Sequence, residues 1–155
     1  MLYGSGPRVG LQPSDEYTLV IMVMPVADYY RGGLKSAVSV LVVEDFDRAA
    51  PRGVGNVKVA GNYAADILPN TAAKKAGYPI VLYLDSKTNE FVEEFSTSNF
   101  IAIEKATGAF VTPLSSAILP SITNKSLMQL AMDEGHAVRS FLLYFRYSSM
   151  CNLSD

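Results

Sequence analysis

The sequence predicts a domain that mixes strands and helices, of either the α/β or the α+β class. Three short apolar runs bounded by turn residues predict strands buried on both faces: Thr18–Val26, Ala37–Val43 and Ile80–Leu84. Two longer segments have helical features and a glycine beyond their ends: Asn62–Ala76 and Thr123–Glu134. With 155 residues, 49% of them apolar, the chain is long enough to bury a core without disulfides or a structural metal.

The remaining elements are shorter, and some carry conflicting signals. Three further strands are expected, over Phe91–Phe95, Asn99–Glu104 and Ala109–Thr112. Pro69 lies inside the first predicted helix, so we expect a kink there or a helix in two pieces. The second helix carries apolar residues at the spacing of one helix face: Leu127, Leu130 and Ala131.

Composition and charge exclude several classes of protein. Thirteen Lys and Arg against fifteen Asp and Glu give a net charge of −2, which argues against a nucleic-acid or membrane-surface protein. The single cysteine, Cys151, excludes an intrachain disulfide and fits a reducing compartment. The run from Tyr17 to Val26 is too short to span a bilayer, and the N-terminus does not have the pattern of a signal peptide. We therefore expect a soluble intracellular protein, cytoplasmic or in a mitochondrion or plastid, where any transit peptide would precede Met1.

Lys58 is the first candidate for chemistry. It lies between a glycine-rich loop and the first predicted helix, with small residues around it and Val57 and Val59 beside it. Most single lysines are surface residues. Here the apolar neighbours predict partial desolvation, which lowers the pKa of an amine and suits a lysine that forms a Schiff base.

Two further segments have a structural and a functional interpretation. Glu93 and Glu94 form either a solvated strand end or a carboxylate that holds a positive charge on a cofactor. Ser121 and Thr123 lie at the start of the second helix. The structural interpretation is that one of them caps the helix, and the functional one is that this N-terminus binds a phosphate. His136 is the only histidine, so a histidine dyad or metal cluster has no candidates.

Three segments together resemble the branched-chain amino acid aminotransferases, which are class IV, fold-type-IV pyridoxal-phosphate enzymes. RAAPRGVGNVKVAGNYA (Arg48–Ala64) is similar to the segment with the family's Schiff-base lysine. EEFSTSNF (Glu93–Phe100) is similar to the segment with the carboxylate for the pyridine nitrogen, and ILPSITNKSL (Ile118–Leu127) to the phosphate-binding segment. The order and spacing of all three match. The resemblance implies an α+β fold, a mixed sheet or pseudo-barrel with flanking helices, and pyridoxal 5′-phosphate as cofactor.

The resemblance also implies a role for individual residues around the cofactor. Lys58 would form the Schiff base and shuttle a proton, and Tyr63 would hydrogen-bond the phenolic oxygen of the cofactor. Arg48 would support that edge of the ring, and Glu94 would keep the pyridine nitrogen protonated. Glu93 is expected to matter far less, because alternation along a strand turns it to the other face.

The phosphate and substrate positions follow from the same resemblance. Phosphate would be bound by Thr97, Ile122 and Thr123, and the apolar substrate pocket would be lined by Tyr29 and Val26. The sequence departs from the family pattern at three positions, where Ser121 and Ala60 replace glycines and Asn124 replaces an arginine. Ser121 and Asn124 lie in the phosphate-binding segment, so these two changes put the phosphate site in doubt.

The likeness covers only part of the family's chain. Residues 1–135 resemble a partial pyridoxal-phosphate-binding large domain, without the N-terminal small domain or the C-terminal segment. Residues 136–155 are expected to be a divergent tail, either mis-spliced or a genuine variant, with the apolar run Phe141–Phe145 exposed. A fragment of this kind is expected to fold poorly and to turn over little.

The resemblance implies transfer of an amino group between a branched-chain amino acid (leucine, isoleucine or valine) and 2-oxoglutarate. Another reaction on the same fold stays open, such as D-amino acid transamination or an aminodeoxychorismate lyase-like activity. A non-catalytic fragment is the third alternative. The partners implied are an amino acid, a 2-oxo acid and, as in the family, a second copy of the chain in a homodimer, with neither nucleic acid nor membrane.

Overall fold

The computed structural model describes residues 1–28, 33 and 37–145. They divide into two units, Met1–Ala37 and Val38–Asp155. The first unit contains a two-stranded antiparallel hairpin of β1 (Leu2–Ser5) and β2 (Glu16–Leu19), in which Leu2 pairs with Leu19 and Ser5 with Glu16.

The predicted buried strand over Thr18–Val26 is wrong. Only its first two residues belong to β2, and residues 20–28 have no regular structure. The last ladder-like bond runs from the Val20 N–H to the carbonyl of Met1, at 2.7 Å. Ile21 is 82% exposed, because the described part of this unit has no layer to cover it. A continuous apolar run therefore indicates a buried strand only where a partner and two covering layers exist.

Two three-stranded sheets make up the second unit. The first contains β3 (Val40–Val43), β4 (Ile80–Leu84) and β5 (Val92–Phe95) in that order, with β3 parallel and β5 antiparallel to β4. The second contains β6 (Ala102–Ile103), β7 (Phe110–Pro113) and β8 (Val138–Phe141), with β6 antiparallel and β8 parallel to β7. Both are mixed sheets.

A helix connects the strands of each parallel pair. α1 (Ala60–Lys75) lies between β3 and β4, and α2 (Ile122–Asp133) lies between β7 and β8. Parallel strands need such a crossover. The α+β prediction is confirmed. In this unit the predicted strand Ile80–Leu84 is found with its predicted bounds, and Ala109–Thr112 is shifted by one residue. The other predicted strands are shorter, most of all Asn99–Glu104, of which β6 keeps only two residues.

β4 is the central strand of the core and is buried along its whole length. Val81 and Tyr83 pack on one face with Val43 of β3 and Ala73 of α1. Leu82 and Leu84 pack on the other face, in a second cluster with Val92 and Phe100. The strand is therefore buried on both faces, as its unbroken apolar sequence predicts.

α1 begins two residues before the predicted Asn62 and ends at Lys75, one residue before the predicted end, with Gly77 in the left-handed conformation at φ +94° after the C-cap Ala76. It is one uninterrupted helix, so the two-piece alternative is wrong. Pro69 removes the bond to the Ala65 carbonyl, but Ala65 is exposed, so water can satisfy that oxygen.

α2 is capped by Ser121, whose hydroxyl accepts a hydrogen bond from the Asn124 N–H at 3.2 Å. None of its residues is buried, so the apolar face with Leu127 and Leu130 does not enter a core in this chain. Leu127 lines a cavity instead.

The described part of the chain after α2, up to residue 145, contains a strand that the sequence analysis did not predict. β8 pairs with β7, and then Leu143 and Phe145 pack against the second core cluster. Phe141, Leu142 and Tyr144 are exposed, so the predicted exposure of the whole Phe141–Phe145 run is correct only for these three. Among the residues described, no helix is both long and apolar enough to cross a membrane.

Candidate functional site

A cavity of about 500 Å³ opens among the loops that follow β3, β5 and β7. Ligands of sheets with helical crossovers bind outside the carboxyl ends of the strands, and this cavity lies at such ends. It brings together five of the seven residues predicted to bind the cofactor: Lys58, Tyr63, Glu94, Thr97 and Thr123.

Lys58 reaches the cavity from the loop that leads into α1. It lies one residue before Val59, the N-cap of the helix. The loop is fixed by the Asn62 amide, which donates to the carbonyls of Val54 at 2.9 Å and of Val57 at 3.0 Å. Nζ lies 4.7 Å from the centre of the Tyr63 ring, a cation–π distance. The amine and the phenol five residues apart in sequence are therefore neighbours.

The predicted desolvation of the Lys58 amine is wrong. The residue is exposed, and Val57 beside it is 47% exposed. Flanking apolar residues desolvate an amine only when they fold over it, and these two lie in an open loop. The amine is accessible from the cavity.

Glu94 is placed by an irregularity in β5. Leu82 pairs with Phe95 and Leu84 with Val92, so Tyr83 alone on β4 stands opposite both Glu93 and Glu94 on β5. One extra residue of this kind is a β-bulge, which breaks the alternation of side chains and re-aims them. The expectation that Glu93 points away is wrong: both carboxylates are buried and both reach Arg48.

Arg48 lies between the two carboxylates. Its Nη1 is 2.9 Å from Oε1 of Glu94, and its Nη2 is 3.9 Å from Oε2 of Glu93. Arg48 lies behind Glu94 and does not line the large cavity. Burial raises the pKa of both carboxyl groups, and Arg48 opposes that rise. With both carboxylates ionised, one guanidinium leaves the cluster with an excess negative charge.

Asn99 is a site residue that the sequence analysis missed. Its Nδ2 donates to Oε2 of Glu94 at 2.7 Å and to the carbonyl of Leu119 at 3.0 Å. It therefore orients the carboxylate and ties it to the segment that leads into α2. Its position in EEFSTSN, five residues after Glu94 across a tight turn, is a signal that could have indicated it.

The start of α2 forms another wall of the cavity. Thr123 lines it together with Ser121 and Asn124, whereas Ile122 is 75% exposed and its side chain does not. Asn124 donates to the hydroxyl of Thr112 at 3.0 Å. The family pattern has an arginine at this position, so a cation is expected there. In this chain Asn124 is instead an uncharged residue that binds to β7. A helix start with unpaired N–H groups suits an anion.

Asp66 on α1 was also missed. It accepts hydrogen bonds from the Tyr83 hydroxyl and, at 2.5 Å, from Asn70. Burial raises the pKa of Tyr83, and the bond to Asp66 adds to the rise. Asp66 shares a small cavity of about 20 Å³ with Arg48 and Glu94. A polar residue on the inner face of an alanine-rich helix is the sequence signal for such a buried network.

The described structure does not test the two predicted substrate residues. Val26 belongs to the first unit and is exposed. Tyr29 lies outside the described residues. Their role as pocket residues stays a prediction.

Residues 2–141 match the class IV amino-transferase family, and the chain belongs to that family. Several of its curated relatives carry a narrower name. It is 43% identical over 130 residues to the branched-chain-amino-acid aminotransferase of Helicobacter pylori and 39% identical over 144 residues to the chloroplastic branched-chain amino acid aminotransferase 2 of Humulus lupulus. These alignments cover 84% and 93% of the chain but only 38% and 35% of the relatives. The chain thus spans little more than a third of their length.

Solved structures agree with this family. The branched-chain amino acid aminotransferase of Escherichia coli is 30% identical, with a TM-score of 0.59, over 68% of this chain and 35% of the other. The enzyme of Thermobaculum terrenum in its pyridoxal-phosphate form is 25% identical, with a TM-score of 0.61, over 70% of this chain and 34% of the other. The described fold is therefore part of a fold-type-IV large domain.

Proposed function

We propose that the chain supplies the cofactor side of an aminotransferase that moves an amino group between a branched-chain amino acid and 2-oxoglutarate. One observation carries the proposal: a single cavity is lined by the amine of Lys58, the phenol of Tyr63, the carboxylate of Glu94 and the start of α2. The family and the names of its relatives support the reaction and the substrate class.

Pyridoxal 5′-phosphate fits the residues present. Its aldehyde needs an amine, its phenolic oxygen a hydrogen-bond donor, its ring nitrogen an anion and its phosphate a set of donors. The excess negative charge of Glu93, Glu94 and Arg48 is the firmest sign, because a protonated ring nitrogen beside Glu94 would neutralise it. Unpaired N–H groups at the start of α2 and the hydroxyls of Thr97 and Thr123 suit the phosphate.

Each residue then has a definite task. Lys58 Nζ would hold the cofactor and would carry a proton to and from the substrate α-carbon, and its exposure makes the amine accessible for both. Tyr63 would hydrogen-bond the phenolic oxygen, and Glu94, held by Arg48 and Asn99, would keep the ring nitrogen charged. When bound, the cofactor supplies the electron sink that stabilises the carbanion at that α-carbon.

The substrate pocket depends on residues beyond this site. We infer a branched-chain preference from the relatives' names and from the predicted pocket residues Val26 and Tyr29. The alternatives on the same fold, D-amino acid transamination and a lyase reaction, use the same cofactor site. A homodimer, the family's assembly, is part of the proposal.

Borohydride trapping tests the cofactor site. The chain is incubated with pyridoxal 5′-phosphate, reduced and mapped by peptide mass spectrometry. We expect the pyridoxyl adduct on Lys58 and its loss in Lys58→Ala. Lys125→Ala, which removes an exposed lysine from α2, is the matched control and should keep the adduct. An adduct of comparable yield in Lys58→Ala would refute the site, and no adduct in the wild type would favour a non-catalytic fragment.

Substrate specificity separates the remaining alternatives. The loaded chain is offered leucine, D-alanine or aminodeoxychorismate, and the conversion of the cofactor to its amine form is followed by absorbance. Reaction with leucine alone supports the proposal. Reaction with D-alanine, or release of pyruvate from aminodeoxychorismate, would assign one of the other activities.

A further inference from the structure

Glu93 is a buried carboxylate that the proposed function does not use. It is 4% exposed, less than Glu94 at 7%, and it does not line the large cavity. A carboxylate is rarely buried unless it is paired, and its nearest cation, Arg48, is already paired with Glu94 at 2.9 Å. The bulge in β5 nevertheless turns Glu93 toward the same guanidinium. This placement calls for an explanation.

A closed circuit of contacts starts and ends at Glu93. The Ser115 hydroxyl donates to Oε1 of Glu93 at 2.7 Å, and the Ala117 N–H donates to the same hydroxyl oxygen at 3.1 Å. The carbonyl of Ala117 accepts from Nη2 of Arg48, and that nitrogen lies 3.9 Å from Oε2 of Glu93. Glu93 therefore holds both Arg48 and the turn at residues 115–117.

This turn continues directly into the other end of the cavity. The carbonyl of Leu119, two residues on, accepts from Asn99 at 3.0 Å and from the Ser121 N–H at 2.8 Å. Ser121 in turn caps α2. The path from Glu93 thus reaches the Glu94–Asn99 pair on one side and the phosphate-binding helix start on the other.

We propose that Glu93 is a positioning residue that fixes Arg48 against Glu94 and, through Ser115, sets the distance between Glu94 and the start of α2. The proposal rests on the proposed function, because those two places would hold the ring nitrogen and the phosphate. Glu93 touches neither group. Its carboxylate is buried to align the residues that do.

The pKa of Glu94 is a readout of how closely Arg48 and Glu93 are placed beside it. Five titratable groups lie around Glu94. Arg48, Tyr63 and Asp66 line the small cavity together with Glu94, and Lys58 lines the large cavity. Glu93 is the neighbour of Glu94 on β5. Of these, Glu93 raises the pKa of Glu94 and Arg48 lowers it. A variant that neutralises Glu93 and leaves Arg48 in place should therefore have a lower pKa at Glu94.

The first experiment uses the chain without cofactor. The side-chain carboxyl carbons of glutamate are labelled with ¹³C and titrated by NMR in wild type, Glu93→Gln and Glu90→Gln. Glu90 is an exposed carboxylate just before β5 and serves as control. We expect the Glu94 midpoint to fall in Glu93→Gln and to stay in Glu90→Gln. An unchanged Glu94 midpoint in Glu93→Gln overturns the proposal.

The second experiment measures affinity for pyridoxal 5′-phosphate. Ser115→Ala and Glu93→Ala each break the circuit and should weaken binding about tenfold, the equivalent of about one charged hydrogen bond. Glu93→Gln keeps an oxygen for Ser115 but loses the negative charge, so it should bind more tightly than Glu93→Ala and more weakly than the wild type. Wild-type affinity in Glu93→Ala and Ser115→Ala overturns the proposal. If the wild type takes up no cofactor, the proposed function fails, and the NMR titration still decides the role of Glu93.

Discussion

Gly55→Ala is the sharpest test of how the two sides of the site fit together. Gly55 is buried in the loop before Lys58. A Cβ added there would lie 2.6 Å from Cβ of Ala49 and closer still to the carbonyl oxygen of Ala117. Cβ atoms do not approach other atoms so closely, and one of these neighbours is rigid backbone. The loop before α1 and the turn before α2 must therefore separate.

The expected cost follows from two contributions. Overpacking of this kind costs about 1–3 kcal/mol. Moving the Ala117 carbonyl also weakens the bond from Arg48, and a hydrogen bond to a charged group contributes about 1.5–3 kcal/mol. A shift of the loop relieves the overpacking but breaks the bond from Arg48, so the two costs do not add in full. We therefore expect a total loss of about 2–4 kcal/mol.

Urea denaturation followed by circular dichroism measures this loss. Gly61→Ala is the matched control, because Gly61 lies in α1 with no atom within 4 Å of the added Cβ. It should stabilise the chain by about 0.5–1 kcal/mol, the helix preference of alanine over glycine. A Gly55→Ala chain within about 0.5 kcal/mol of the wild type, at an unchanged slope, would refute the close fit of the two loops.

Three further predictions concern single residues. Glu94→Gln should still bind pyridoxal 5′-phosphate but react far more slowly with leucine, as measured by single-turnover absorbance. Each pKa unit lost at the ring nitrogen corresponds to about 1.4 kcal/mol. Equal rates in variant and wild type would contradict the role of Glu94. Ser121→Ala removes the α2 cap and should lower the unfolding free energy by about 1 kcal/mol in urea, whereas no loss would mean that the cap is not formed. Asp85 accepts N–H bonds from Thr88, Glu90 and Phe91, and although burial opposes them, these bonds lower its pKa. Its stabilisation is present above the ordinary pKa and is lost as the pH falls through the lowered value, so wild type should lose more stability than Asp85→Asn between about pH 5 and pH 2, and parallel curves would contradict this.

The strands and helices were predictable where local pattern and tertiary environment agree. Ile80–Leu84 is unbroken apolar sequence and becomes the strand covered on both faces. α1 ends before Gly77 because the chain turns there with φ +94°, which glycine adopts at little cost. Thr18–Val26 has the same apolar pattern as β4, yet beyond Leu19 it has neither a partner strand nor a cover among the described residues, and local sequence does not encode either.

The sequence predicted some of the residues that share the cavity but not how they are arranged. Lys58, Tyr63 and Glu94, which the resemblance of whole segments points to, line one cavity, and their roles stay predictions. The position of Glu93 was not predictable, because period-two alternation fails where β5 has one residue more than β4. Asn99 escaped notice because its contact with Glu94 depends on how the chain turns after β5.

The two helical crossovers have a consequence for how this chain folds. The Lys58 loop belongs to the crossover between β3 and β4, and the start of α2 to the one between β7 and β8. They are joined by Arg48 on the Ala117 carbonyl and by the Ser116 hydroxyl on the carbonyl of Pro51, at 2.9 Å. A ligand that contacts both loops binds only the docked pair, and at a hundred times its dissociation constant it favours docking by about 2.7 kcal/mol. Such a ligand acts as a folding partner of the chain, and the midpoint of thermal unfolding rises with its concentration.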